Sequence, residues 1–425
     1  MITLVWIFFI VLILLGVPVA FVIGGSSVIM LLIDGTNISL TIAQKMINGL
    51  DSFTLLAIPF FMCAAAMMTE TKVSEKIFSF ANSMVRHLPG GPAQVNILAS
   101  IIMAGMSGTA VNDITGIGAL EVRAMEKEGY NRPFAGAVTA ASSAIGPIIP
   151  PSVPLVLIGS IMGVSISKIL IAGIVPGLMM GIFLMLLVTY ICKKRNYNRL
   201  PRVTVKELFF SFLKAIPALL TPVILVGGFM SGFATPTESA CVAVVYSMFL
   251  GFVFYRNTSF KQFWRVLEKA AILCAITMII IACSATFGLI ITQQQIPQRL
   301  AVFVLSLTSN YYVIIFLVIV ILLILGSMME TTAIMIIITP ILMVVISEIG
   351  MDLVQFAILE ALVITLGLFT PPVGVGMFLT CKVCHIKTGS FLREIRPFLI
   401  IMFICVLLIA YIPALSLWLP DLFLK

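Results

Sequence analysis

Helix-breaking residues recur along this chain at one spacing, and that repeat limits the folds open to it. Gly105, Gly129, Pro150 and Pro176 each have the same residue type 221 positions further on, at Gly326, Gly350, Pro371 and Pro397. The chain therefore reads as two copies of one unit. Each copy carries a first interruption, Gly105 to Asp113 or Gly326 to Thr332, and a second built on Gly and Pro-Pro, at 146–152 or 367–373. Proline removes a backbone donor and breaks a helix. Paired breaks in the two halves of a membrane protein point to a site at the interface of the halves.

The membrane setting follows from composition. Hydrophobic residues make up 61% of the 425 positions and charged ones 10%, with a mean hydropathy of +1.20. Apolar runs of about twenty residues recur along most of the length, which predicts a polytopic helical protein in a lipid bilayer. A transmembrane barrel would alternate instead. Met1 to Leu15 lacks a basic start and a small-residue cleavage site, so it reads as a first helix rather than a signal peptide. The net charge of +8 is a topology signal, because cytoplasmic loops collect Lys and Arg; nothing points to nucleic acid. The eight cysteines sit mostly in apolar runs, as buried thiols.

Loop charge sets the orientation of the copies. Loop 72–86 has Lys72, Lys76 and Arg86, whereas its counterpart near 293–312 has only Arg299. Loop 34–51 has only Lys45, whereas 256–269 has Arg256, Lys261, Arg265 and Lys269. Equivalent loops thus fall on opposite sides, which predicts inverted repeats. This threading leaves Lys45, Lys168, Arg299 and Lys425 outside with Met1, and the other 21 of 25 basic residues inside. The expected organisation is a first inverted repeat over 1–192, with a re-entrant hairpin at 95–120 and a broken helix at 133–162. A basic cytoplasmic linker follows over 193–214. The second repeat spans 215–425, with a hairpin at 313–347 and a broken helix at 355–380.

The breaks carry the chemistry. Freed carbonyls and hydroxyls are hard oxygen ligands suited to a small cation such as Na⁺, whereas half-helix N-termini favour anions. Two matched sets predict two or more Na⁺ sites flanking one substrate site. The candidate cation ligands are Gly105, Ser107, Gly146, Ile149 and Pro150 in the first set. In the second they are Gly326, Met329, Thr331, Gly367, Thr370 and Pro372. Ser107, Thr109, Asn112, Asp113 and Ser152 are the candidate substrate contacts. Asp113 is an ionisable group at membrane depth, which is a functional hypothesis by default. Glu330 stands where the first repeat has Thr109, outside the shared pattern. Ala234-Thr235-Pro236-Thr237-Glu238-Ser239 reads as a kink with Glu238 satisfied locally.

Four stretches carry a family resemblance: Gly105 to Asp113 (GMSGTAVND), Val138 to Ser152 (VTAASSAIGPIIPPS), Ala234 to Ala240 (ATPTESA) and Thr370 to Gly374 (TPPVG). Over nearly its whole length the chain resembles the large membrane (M, or DctM-type) subunit of tripartite ATP-independent periplasmic (TRAP) transporters. Asn112 and Ile114-Thr115 depart mildly from the usual pattern. The resemblance implies an elevator-type secondary transporter in a bacterial inner membrane, driven by Na⁺. It implies a separate small four-helix membrane subunit (Q), no such segment preceding Met1, and a periplasmic substrate-binding protein (P). It implies an organic acid substrate of the sialic acid, sugar acid or C4-dicarboxylate type, with a sialic or related sugar acid the leading expectation.

Other classes fit less well. A self-sufficient ion and organic-anion transporter of the same broad fold would need no small membrane partner. Gly105-Met106-Ser107-Gly108 fits the pattern of intramembrane serine proteases, but such an enzyme needs a histidine near the serine, and His87 and His385 both fall in loops. Cys381 to His385 fits the c-type haem pattern, on the side where that attachment does not occur. A purely structural subunit leaves the duplicated breaks without a use.

Overall fold

Unbroken Leu, Ile, Val and Phe runs favour helix in a bilayer, where every backbone polar group must be paired within the segment. The computed structural model is accordingly helical, with no strand among its described residues. Those are residues 8–424 apart from 10, 13, 14, 16, 34–37, 72, 198, 199 and 257. The expectations for Met1, Lys72 and Lys425 fall outside them. Among the described residues, eight helical stretches are long and apolar enough to cross a membrane.

The described chain opens with α1 (Val19–Ile33), α2 (Ile38–Leu50), α3 (Ala57–Glu70, led in by a 3-10 turn at Phe53–Leu56) and α4 (Val73–Val85). Then come α5 (Gly91–Ser107), the one-turn α6 (Ala110–Asp113), a π turn over Ile114–Gly118, and α7 (Ala119–Lys127). The first Pro-Pro lies between α8 (Arg132–Ser143) and α9 (Val153–Met162), followed by α10 (Ile166–Ala172) and α11 (Ile174–Lys194). Next are α12 (Val205–Met230), α13 (Pro236–Phe249), α14 (Phe260–Gln293) and α15 (Ile296–Leu307). The last group is α16 (Tyr311–Met328), α17 (Thr331–Glu348), α18 (Leu353–Gly367), α19 (Val375–Val383), α20 (Thr388–Tyr411) and α21 (Ala414–Phe423).

Two helical hairpins are present, α5 to α7 and α16 to α17, each extending a little beyond the apolar run that marks it. Buried polar side chains register the first. The Asn96 side-chain amide donates to Thr139 at 2.7 Å and lies 3.9 Å from the Met125 sulfur. The Ser142 hydroxyl donates back to Asn96 at 2.9 Å, and Ser100 donates to Ser142 at 3.0 Å. So α7 returns beside α5, and α8 turns again to run parallel to it. In the second hairpin, Thr339 on α17 donates to Glu360 on α18 at 2.8 Å, and Gly326 meets Ile364 and Gly367. The order is the same: out, back, and out again.

Four segments read as loops contain helix instead. Within 34–51 lies α2, within 72–86 α4 and within 293–312 α15, while 256–269 leads into α14. α2, α4 and α15 are amphipathic, so no long apolar run marks them. In α4, Val73, Ile77, Ala81 and Val85 are buried at four-residue spacing while Glu75, Lys76 and Ser79 are exposed. The expected linker 193–214 is also shorter. Lys193 and Lys194 end α11, and α12 starts after Thr204, whose hydroxyl and backbone N–H exchange bonds with Glu207 in a capping box. The linker's start is pinned: Arg195 pairs with Glu394 at 2.8 Å and lies 5.0 Å over the Phe134 ring, and Tyr197 stacks on Tyr130 at 4.2 Å.

Packing gathers the helices into two groups that are joined where α4 and α3 pack on α5 and α14 on α17. α14 packs along α1, α2 and α3; α13 packs on α3 and α12, and α12 on α4. The other group gathers α5, α8, α11 and α20, with α16, α17 and α18. Across the middle, α9 packs on α17, and α19 packs on α6 and the π turn. The half-helix after each Pro-Pro thus meets the returning arm of the opposite hairpin.

Candidate functional site

The first tip is shaped by two glycines. Gly108 has a positive φ of 63°, which L side chains rarely adopt. A side chain there would also collide with the Pro151 carbonyl. Thr109 then starts α6, its hydroxyl accepting the Asn112 N–H at 3.4 Å. Across from this tip lies Gly146, where an added Cβ would stand 2.9 Å from the Asp113 carboxylate and 3.4 Å from Thr109. Asp113 is buried at 4% exposure. Gly105 faces Pro222, with the Pro150 carbonyl 3.7 Å from where its Cβ would be. Ser152 is fully buried; its hydroxyl donates to the Pro147 carbonyl and accepts the Leu155 N–H at 3.2 Å, capping α9.

The structure therefore gathers Gly105, Thr109, Asp113, Gly146, Pro150 and Ser152 at one place. The Ser107 side chain lies outside the described residues. Asn112 reaches the cluster through its backbone. The Ile149 side chain packs against Gly177 on α11, so only its backbone belongs to the break. The gathered atoms are a carboxylate, hydroxyls and carbonyls, with α6 and α9 starting beside them. Oxygen donors of this kind suit a hard cation, and helix N-termini suit an anion.

The second set is built by close backbone approach. A Cβ on Gly367 would stand 2.6 Å from the Gly326 carbonyl carbon. The Gly374 N–H donates to the Ser327 carbonyl at 2.7 Å, tying the break to the hairpin. Both Pro150-Pro151 and Pro371-Pro372 bonds are cis. At the tip, Met329 is extended and Glu330 caps α17, its carboxylate accepting from Ala333 at 3.1 Å and from the Thr332 hydroxyl at 2.9 Å. Thr331 is half-buried beside it. The Thr370 hydroxyl donates to the Leu366 carbonyl at 2.8 Å, and Pro372 is exposed.

Family membership is decided by the sequence as a whole. The model of the tripartite ATP-independent periplasmic transporter, DctM component, matches residues 6–415. The chain belongs to the DctM family. Its members are transporter permeases rather than enzymes, which removes the protease reading. The chain is 39% identical over 96% of its length to the sialic acid TRAP transporter large permease of Vibrio cholerae, covering 96% of that protein. It is 34% identical over 90% of its length to the C4-dicarboxylate TRAP transporter large permease of Pseudomonas aeruginosa, covering 89%. The Alcanivorax borkumensis YdaH transporter superposes with a TM-score of 0.62 over 87% of this chain and 86% of that one. At 13% identity that likeness concerns the fold alone.

In this DctM-family chain, sequence reasoning passed over the polar ladder of Asn96, Ser100, Thr139 and Ser142. It also passed over two buried carboxylates, Glu121 on α7 at 2% exposure and Glu360 on α18 at 0%. Glu360 was legible, as a lone acid in an apolar span. The Ala-Thr-Pro-Thr-Glu-Ser stretch is a capped helix start, Glu238 accepting from the Thr235 N–H at 2.7 Å and its hydroxyl at 2.8 Å. Cys381 and Cys384 are both buried free thiols.

Proposed function

We propose that this chain is the transport subunit of a Na⁺-coupled TRAP system that takes up an organic acid anion. The observation that carries this is the crossed packing of two matched breaks: α9 on α17, and α19 on α6 and its π turn. Each Pro-Pro break delivers carbonyls and a helix start to a hairpin tip, and one tip adds the buried Asp113. In this reading the cations sit at the two sets and the substrate lies between them. The repeats are inverted, and α5–α11 with α16–α21 move as an elevator against α1–α4 and α12–α14. The packing of α14 along α1, α2 and α3, and of α16 and α20 on α18, supports two such bodies, with α4 on α5 as the contact that the movement must slide or carry. The expected partners are a small Q subunit and a periplasmic P protein. A sialic or related sugar acid leads the substrate candidates, because the Vibrio relative named for sialic acid is the more similar of the two.

Reconstitution tests this. Liposomes holding the chain with its small membrane partner, supplied with loaded binding protein, should accumulate substrate only under an inward Na⁺ gradient. Undiminished uptake with K⁺ in place of Na⁺ would refute the coupling.

A further inference from the structure

Away from the hairpin tips, a pocket of about 430 Å³ lies between α4 and the first turns of α12. Arg86, Lys206 and Lys214 line it, against the single carboxylate of Glu207. Glu207 is already engaged in the capping box, accepting the Thr204 N–H at 3.1 Å. Arg86 uses one of its five guanidinium donors on the Pro201 carbonyl, at 3.0 Å. A hydrogen bond between Ser83 and Ser211, at 2.9 Å, holds the two helices together beside the cations. Three like charges brought to one pocket repel one another, and a multidentate anion relieves that repulsion while accepting charge-assisted hydrogen bonds. The oxygens of a phosphate ester suit such a set.

The surroundings discriminate between a dissolved phosphate and a lipid. α12 is the least buried of the eight candidate spans, with 22% of its window buried. On its flank beside the pocket and further along, α12 leaves Phe209, Phe212, Leu213, Leu220 and Val223 each at least 42% exposed. Phe210 lines the pocket itself and is 50% exposed. A free anion would use the cations and leave this face idle. A phospholipid uses both, because its charged headgroup is joined to chains that need an apolar wall. Basic pockets between membrane helices bind anionic headgroups on this principle.

We propose that the pocket binds the phosphodiester headgroup of an anionic phospholipid, whose acyl chains lie along the exposed face of α12. α4 leads through a short turn into α5, the first arm of the hairpin. The bound lipid therefore braces α12 against the segment from which that hairpin starts. The proposal requires only that α12 lies in a bilayer, and stands apart from the ion coupling.

The test is native mass spectrometry of the full chain in mild detergent, titrated with phosphatidylglycerol, phosphatidylethanolamine or inorganic phosphate. Phosphatidylglycerol should be retained at least tenfold more tightly than phosphatidylethanolamine, and inorganic phosphate at millimolar levels should not displace it. Each cation removed weakens headgroup binding about fivefold, so Lys206→Gln with Lys214→Gln should lower retention roughly 25-fold. Lys382→Gln, an exposed cation elsewhere, should leave it unchanged. Should the double variant fail to fold, wild-type protein at rising ionic strength gives the same contrast, through selective loss of the anionic lipid. Equal retention of the two lipids overturns the proposal, as does indifference to the double substitution. Displacement by millimolar phosphate would assign the pocket to a soluble anion and overturn the lipid source.

Discussion

Gly367→Ala is the sharpest perturbation of the second hairpin. The added methyl would stand 2.6 Å from the Gly326 carbonyl carbon, 2.7 Å from its Cα and 2.9 Å from the Ser327 nitrogen. All three are backbone atoms, so no side-chain rotation relieves the contact. Ordinary contact begins at 3.4 Å, so α16 and α18 must part by the difference, about 0.8 Å. Overpacking of this kind costs about 1–3 kcal/mol, while alanine in place of a helical glycine returns about 1 kcal/mol. The expected net loss is about 0–2 kcal/mol, or a fall in Tm of at most a few degrees. Transport should suffer more than stability does. Ser327 accepts the Gly374 N–H, so displacing α16 moves the Met329–Glu330 tip and the Pro-Pro break together. A site weakened by 1.4 kcal/mol loses about tenfold in affinity. Uptake by reconstituted protein and melting in detergent should be measured side by side. Gly227→Ala is the control: it sits in α12 with nothing within 4 Å of its Cβ, so uptake should hold and Tm should stay or rise. Wild-type uptake and Tm in Gly367→Ala would show that the two backbones do not approach as described.

Asn96→Ala removes two buried hydrogen bonds and opens a hole between α5 and α8. Such bonds average about 0.6 kcal/mol in membranes, but stranding a buried partner costs about 1–3 kcal/mol; an unchanged unfolding midpoint in SDS would contradict a loss of about 2 kcal/mol. Asp113→Asn keeps the volume beside Gly146 but removes the charge, and should cut uptake at least tenfold while sparing expression and Tm; normal uptake would place the coupling group elsewhere. Cysteines at the exposed positions Glu128 and Glu348 should react with impermeant reagent from opposite sides of the membrane. Labelling of both from one side would refute inversion.

The elements that apolar runs and breakers mark were legible in sequence. The two hairpins, both Pro-Pro breaks and the fold class all follow from Gly and Pro placed in otherwise continuous apolar sequence. The surface helices α2, α4 and α15 were not, because half their residues are polar and periodicity competes with loop composition over so short a span. At the first tip, the motifs name Thr109, Asp113, Gly146 and Ser152, and the fold brings these residues to one place. The ladder through Asn96, Ser100, Thr139 and Ser142 was hidden, since each residue alone reads as an ordinary small polar group. What makes it a ladder is the register of α5 against α8, and that depends on where the hairpin turns.

One asymmetry between the halves concerns α14. Offset by 221, α2 and α3 fall together on this one helix of 34 residues. Where the first half has Gly49, Asp51 and Ser52, the second has Ala270, Ile272 and Leu273, and the chain does not pause. At 1.5 Å per residue α14 is about 51 Å long, against about 30 Å of bilayer hydrocarbon. It must lean steeply or stand proud of the lipid, and it carries Lys261, Arg265 and Lys269 in its first turns. One half thus has an elbow where the other has a rod. An elbow yields under load and a rod transmits it. In the proposed elevator both lie in the group that is moved against, which is therefore jointed on one side and braced on the other.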